Sequence, residues 1–179
     1  MGNKNIFLTG DIQVGKSTAI FNFLEKYVSK SERISGFKTK PFYENGFLKG
    51  YYIESQLNPM ISDITENMVG INIAFGSRKH CYGVTEVFEK KGTLILHESL
   101  KIPNSIILMD ELGFFEKDAV QFKDQVHRAL NSTHKVLGVL KERKNDFLDS
   151  IVSREDVKVI RVTLENRDDI VNEINKYWE

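Results

Sequence analysis

Apolar residues in this chain come in short runs whose period changes along its length. Asn5 to Thr9 is a compact run of the kind that predicts a buried strand. From Ser17 to Ser29, the residues Ile20, Phe21, Leu24, Tyr27 and Val28 recur at helical spacing. Ile34 to Tyr43 and Leu48 to Glu54 read as two strands joined at Glu44-Asn45-Gly46, a hairpin signal. Residues 56–80 hold Pro59, Gly70 and Gly76 and read as irregular, with one short strand or helix. Val84 to Leu100 predicts a helix interrupted or shifted by Gly92.

The second half alternates more cleanly. Ser105 to Asp110 is an apolar run that ends in acid, as a central strand of a parallel sheet does. Lys117 to Asn131 is amphipathic through Ala119, Phe122, Val126, Ala129 and Leu130. Val136 to Leu140 predicts a strand, Asp146 to Val152 a short helix, Val157 to Val162 a strand and Arg167 to Trp178 a final helix. Strands alternating with helices predict an α/β fold with a mostly parallel sheet flanked by helices. A length of 179 residues without an internal repeat or linker predicts a single domain, 1–179.

Between the first strand and the first helix stands Gly10-Asp11-Ile12-Gln13-Val14-Gly15-Lys16-Ser17-Thr18. This is the P-loop pattern G-x-x-x-x-G-K-[ST], placed where its chemistry requires it. Inward-turned backbone N–H groups need little side-chain bulk, hence Gly10 and Gly15, and with the helix N-terminus they form a concave anion site. All nine residues are therefore expected to bind nucleotide. Lys16 is expected to reach the β- and γ-phosphates, and the Ser17 hydroxyl to hold Mg²⁺.

The acid-terminated strand supplies the second element. Open α/β sheets place ligand chemistry at the carboxyl ends of their strands. Asp110 is expected in the Mg²⁺ shell, making Ser17 and Asp110 the metal pair. Glu111, turning beyond the strand end, is expected to orient or deprotonate the attacking water. A cation near the γ-phosphate would stabilise the transition state. The candidates are Arg143 and Lys141 in the loop after the Val136–Leu140 strand, and Arg154 or Arg167 further on; Arg143 is selected for that loop position. The expected catalytic set is Lys16, Glu111 and Arg143. Asn166 and Arg167 are placed near the base, against the plainer reading of a helix cap and a surface arginine.

Composition narrows the partners. Lys plus Arg (25) equals Asp plus Glu (25), which argues against nucleic acid as a partner. The single cysteine, Cys81, excludes a disulfide within the chain and fits a cytoplasmic setting. No apolar stretch reaches membrane length, and no secretory leader is expected. Met1-Gly2 opens like a myristoylation signal, but Ile6 stands where Ser or Thr is required. His97-Glu98 begins like a zinc-protease helix, yet Lys101 occupies the second histidine's position. No oligomeric state is read from the sequence.

Further pieces carry a resemblance. They are Gly36-Phe37-Lys38-Thr39, Tyr82-Gly83-Val84 with Phe88-Glu89, Asp110-Glu111-Leu112-Gly113 followed by Phe115-Glu116, and Val162-Thr163 with Asn166-Arg167. Together with the P-loop, the chain resembles the small P-loop nucleoside-triphosphatases that include the cancer-related nucleoside-triphosphatase and its thermophilic archaeal and bacterial relatives. The resemblance implies a RecA-like sandwich. It also implies Mg²⁺-dependent hydrolysis of ATP, GTP and other nucleoside triphosphates to diphosphate and phosphate, with loose base preference. The chain departs from that family's usual P-loop by carrying Ile12-Gln13 for Pro-Gly, so either Gln13 accepts the backbone geometry a glycine holds there or the loop differs. It also has Lys40-Pro41 where acids are common. Two other readings stay open: a small-molecule or nucleoside kinase, and a nucleotide-gated binding module acting on a protein or RNA partner.

Overall fold

One eight-stranded sheet runs through the molecule, parallel over one half and antiparallel over the other. A computed structural model describes residues 4–28, 32–58, 64–75 and 78–178. The strands are β1 (Asn5–Thr9), β2 (Arg33–Glu44), β3 (Phe47–Ser55), β4 (Met68–Phe75), β5 (Arg78–Gly83), β6 (Ser105–Leu112), β7 (Lys135–Leu140) and β8 (Val157–Arg161). Their spatial order is β5-β4-β3-β2-β6-β7-β1-β8. The pairs β2–β6, β6–β7, β7–β1 and β1–β8 are parallel; β2–β3, β3–β4 and β4–β5 are antiparallel. The sheet is thus mixed, and the expectation of a mostly parallel sheet is corrected by an antiparallel wing built from β3, β4 and β5.

Among the described residues, five helical segments cover the faces, besides a single 3₁₀ turn at Thr65–Asn67. They are α1 (Lys16–Tyr27), α2 (Thr85–Val87 continued by a wide turn at Phe88–Gly92 and by Thr93–Ser99), α3 (Val120–Asn131), α4 (Asp146–Val152) and α5 (Ile170–Trp178). The period-2 alternation of the strands sorts side chains between the faces. In β1, Ile6 and Leu8 join Ala19, Ile20 and Phe23 of α1 and Ile170 and Ile174 of α5. Phe7 points the other way, into a cluster with Phe88 and Leu96 of α2, Phe122 and Val126 of α3, and Phe147 and Ile151 of α4. β6 divides likewise, Ile106 and Leu108 to the first face and Ile107 and Met109 to the second. A strand covered on both faces must be apolar at every position, which is why Ile106 to Met109 reads as an unbroken run.

β2 belongs to both halves. Arg33 to Lys38 pairs with β6, and Phe37 to Glu44 pairs with β3. Pro41 lies past the last β6 partner, where its missing N–H leaves no ladder bond unmade on that edge. Asn45 and Gly46, at φ 51° and 79°, close the expected hairpin.

The segment expected to be irregular is the main departure. Apart from residues outside the described range, it holds β4 and the start of β5, paired antiparallel from Gly70↔Gly83 onward. Gly70 is a strand residue, and glycine stands there because a Cβ would lie 2.7 Å from the Phe115 ring and 3.2 Å from Cys81 Sγ. Gly92 has a similar origin: α2 widens before it, and a Cβ would meet Phe122 at 2.7 Å. Among the described residues no helix is long and apolar enough to cross a membrane.

Candidate functional site

The site lies at the carboxyl ends of β1, β6, β7 and β8. Gly10 leaves β1 at φ 132°, and a Cβ there would stand 2.4 Å from the Val162 carbonyl oxygen, so the loop passes the end of β8 at a distance only glycine allows. Gly15 sits at φ 110° with open space where a Cβ would be. Gln13 adopts φ 63°, a left-handed geometry that favours glycine. Val14 is buried in the α1 face and anchors the loop between its exposed members Asp11, Ile12 and Gln13.

α1 begins with no side-chain cap and no acid in its first turn. The N–H groups of its first turn, including those of Lys16, Ser17 and Thr18, therefore have no intrahelical acceptor and no competing carboxylate, as an anion site requires. The Lys16 ammonium donates to the Gly10 and Asp11 carbonyls, each at 2.7 Å, which holds its charge over the loop.

Ser17 Oγ donates to Asp110 Oδ1 at 3.2 Å. Asp110 is 7% exposed. Burial raises its carboxyl above the usual range, against the Ser17 hydrogen bond, which lowers it; Glu111 adds to the rise while Lys38 and Lys16 oppose it. Lys38 stands across from Asp110 in the β2–β6 register.

β6 does not stop at Asp110. It continues to Leu112 through a bulge: Met109 faces Gly138 and Leu112 faces Leu140, so Asp110 and Glu111 stand against Val139 alone. Glu111 therefore lies within the strand rather than beyond its end. The peptide between Asp110 and Glu111 is cis. The Glu111 carboxylate meets the Lys141 ammonium at 2.7 Å, both groups partly exposed. Lys141 also lies 5.2 Å from the Phe115 ring centroid and 5.9 Å from that of Tyr51 in β3.

The structure therefore joins the Gly10–Thr18 segment to Asp110 through Ser17, with Glu111 next to Asp110 on β6. Arg143, selected from the sequence as the cation, lies near the Phe114 ring at 6.0 Å, and it is Lys141 that reaches Glu111. Asn166 accepts from Thr163 N at 2.7 Å and donates to the Arg161 carbonyl at 2.9 Å, stitching the turn after β8. Arg167 approaches its neighbour Asp168 at 3.8 Å and is half exposed. Arg154 binds Asp156 at 2.8 Å and so belongs to the turn before β8, at the opposite end of that strand. Sequence reasoning passed over Lys38 and Arg161. Arg161 pairs with Glu142 and lies 4.0 Å from Asp11 of the loop. Lys38 lies in mid-strand at the last position of β2 paired with β6, and Arg161 closes β8 beside β1, places visible only once the pairing is known.

Comparison with known proteins places the chain in a family. The family described as NTPase matches residues 5–175. Nucleoside-triphosphatase THEP1 of Thermofilum pendens is 29% identical over 170 residues, covering 94% of this chain and 91% of that protein. The protein of the same name from Sulfolobus acidocaldarius is 29% identical, covering 94% and 90%. In fold, the chain is similar to THEP1 from Aquifex aeolicus (TM-score 0.71, 22% identity, 98% and 99% covered). It is also similar to a human cancer-related nucleoside triphosphatase (TM-score 0.73, 24% identity, 96% and 95% covered). A match that runs from the first strand into the last helix, over a sheet that sets a P-loop against an acid pair, makes this chain a member of the NTPase family.

Proposed function

We propose that the chain is a nucleoside-triphosphatase that hydrolyses ATP, GTP and other nucleoside triphosphates to diphosphate and phosphate with Mg²⁺. The observation that carries this reading is the Ser17–Asp110 contact, which joins the phosphate loop to the strand bearing Glu111. The names of the relatives support the activity, and the parallel half of the sheet supports a RecA-like arrangement.

In this reading the loop amides and Lys16 bind the β- and γ-phosphates. Mg²⁺ takes oxygen ligands, and the Ser17 hydroxyl with the buried Asp110 carboxylate offers two oxygens 3.2 Å apart, a donor set that fits it. When bound, the ion neutralises charge on the phosphate oxygens. Glu111 orients the attacking water and takes up its proton, while Lys141 holds the carboxylate in place and sets a positive charge beside it. The unpaired Cys81 suits a cytoplasmic setting.

The test is phosphate release from several nucleotides, with and without Mg²⁺, for wild type and Lys16→Ala. Mg²⁺-dependent release that Lys16→Ala abolishes supports the reading. Transfer that requires an added acceptor, with no release to water, replaces it with a kinase.

A further inference from the structure

Glu116 is a carboxylate with 1% of its surface exposed, and hydrolysis as described gives it no task. Burying a carboxylate is costly, and an apolar side chain could fill the same volume at less cost, so its contacts need a reason. Its side chain accepts the Gly113 N–H. Gly113 is held from two further sides. Its carbonyl accepts from Asn145 Nδ2 at 3.0 Å, and a Cβ on it would stand 2.7 Å from Lys141 Cδ, so the Lys141 stem runs against its Cα.

Each of these braces is itself fixed. Asn145 Oδ1 accepts from Leu148 N at 2.8 Å as the N-cap of α4. Lys141 N donates to the Leu112 carbonyl at 2.9 Å. One glycine, two residues beyond Glu111, is thus gripped by three side chains, and the lysine that braces it is the partner of Glu111.

We propose that Glu116 is a positioning residue: its carboxylate fixes the Gly113 amide and through it the approach of Lys141 to Glu111. The proposal rests on the hydrolytic role given to Glu111 above.

The charged groups facing Glu116 are Lys141, from the segment after β7, and Glu111, from β6. Burial outweighs both and pushes its carboxyl up to about 7; the Gly113 bond and Lys141 act against the rise, and Glu111 adds to it. An ionised acceptor binds an amide more strongly than a neutral one. Proton uptake therefore slackens the grip on Gly113, and turnover rises with pH through neutrality.

The experiment compares wild type, Glu116→Gln and Glu116→Ala with MgATP from about pH 5.5 to 9. Glutamine keeps a neutral acceptor for Gly113 at every pH. Wild-type kcat should rise severalfold around pH 7, and Glu116→Gln should be flat across the same window, with KM within about twofold for both. Glu116→Ala should lower kcat by about tenfold or more, a loss that Gln largely restores. A Glu116→Gln profile that keeps the wild-type rise overturns the proposal. A second arm follows the Gly113 amide by nuclear magnetic resonance in wild type and Glu116→Gln, which needs no turnover. Its shift should titrate near neutrality in wild type alone. A wild-type enzyme without hydrolysis removes the role given to Glu111, whereas a wild-type Gly113 amide indifferent to pH removes the clamp itself.

Discussion

Glu111 and Lys141 meet at 2.7 Å although thirty residues of chain separate them. The contact depends on the bulge in β6, which adds one residue to that strand against β7 and turns Glu111 toward the segment following β7. A general base is useful only if its carboxylate is held where water will stand. In the role proposed for Glu111, Lys141 supplies that hold.

Glu111→Gln keeps the shape of the side chain and removes its ability to take a proton. Nucleotide affinity should stay within about threefold, while kcat should fall by about a hundredfold or more. Fluorescent-nucleotide titration and phosphate release, run on the same sample, check both halves. Equal phosphate release by variant and wild type would assign the base elsewhere.

Lys141→Ala frees the Glu111 carboxylate and removes a stem packed on Gly113. It should lower kcat by about tenfold or more, and Lys141→Arg should recover part of that loss. Arg143→Ala should change kcat by less than about threefold, because its guanidinium faces Phe114 rather than Glu111. A larger loss from Arg143→Ala than from Lys141→Ala would reverse the assignment.

Gln13 holds a left-handed backbone, which costs a side-chain-bearing residue about 1–2 kcal/mol. Gln13→Gly removes that strain but loosens the unfolded chain, so stability should shift by no more than about 1 kcal/mol. Gln13→Val, branched at Cβ, should cost about 1–2 kcal/mol more than Gly. Urea unfolding separates the three proteins.

Glu116 also makes stability depend on pH. Its folded carboxyl titrates at about 7, above the ordinary 4.5, so the native state binds this proton more tightly than the unfolded chain. The stabilisation is fully present below about pH 4.5, is lost as pH rises to about 7, and is constant above. Glu116→Gln cannot ionise and keeps an acceptor for Gly113. It should therefore gain about 1–3 kcal/mol over wild type at pH 8 and far less at pH 5, measured by denaturant unfolding at both. The acceptor that grips Gly113 best is thus bought with stability.

The parallel half of the fold is legible in the chain. Ile106 to Met109 and Ile6 to Leu8 are apolar without interruption because both faces of their strands are covered, and the Asn45-Gly46 pair states its own hairpin. β4 is hidden because Gly70 reads as a breaker when isolated, whereas its reason is a Phe115 ring contributed from 45 residues away. The P-loop is legible because its geometry is local. Lys141 is not distinguishable from Arg143 by sequence, since the choice between them is made by a bulge and by the space over Gly113. Glu116 carries no outward sign either, because burial and not residue type sets it apart.

The glycine of β4 has a reach that its place in a peripheral hairpin conceals. The Phe115 ring rests where a Gly70 side chain would be, Lys141 lies over that ring, and Glu116 follows it directly. A methyl group at position 70 would act as a wedge, displacing the aromatic and, with it, the seat of the ammonium ion. Under the proposed function, the outer strands are therefore a lever on the Glu111–Lys141 edge, and the place to retune turnover without touching the glycine-rich loop.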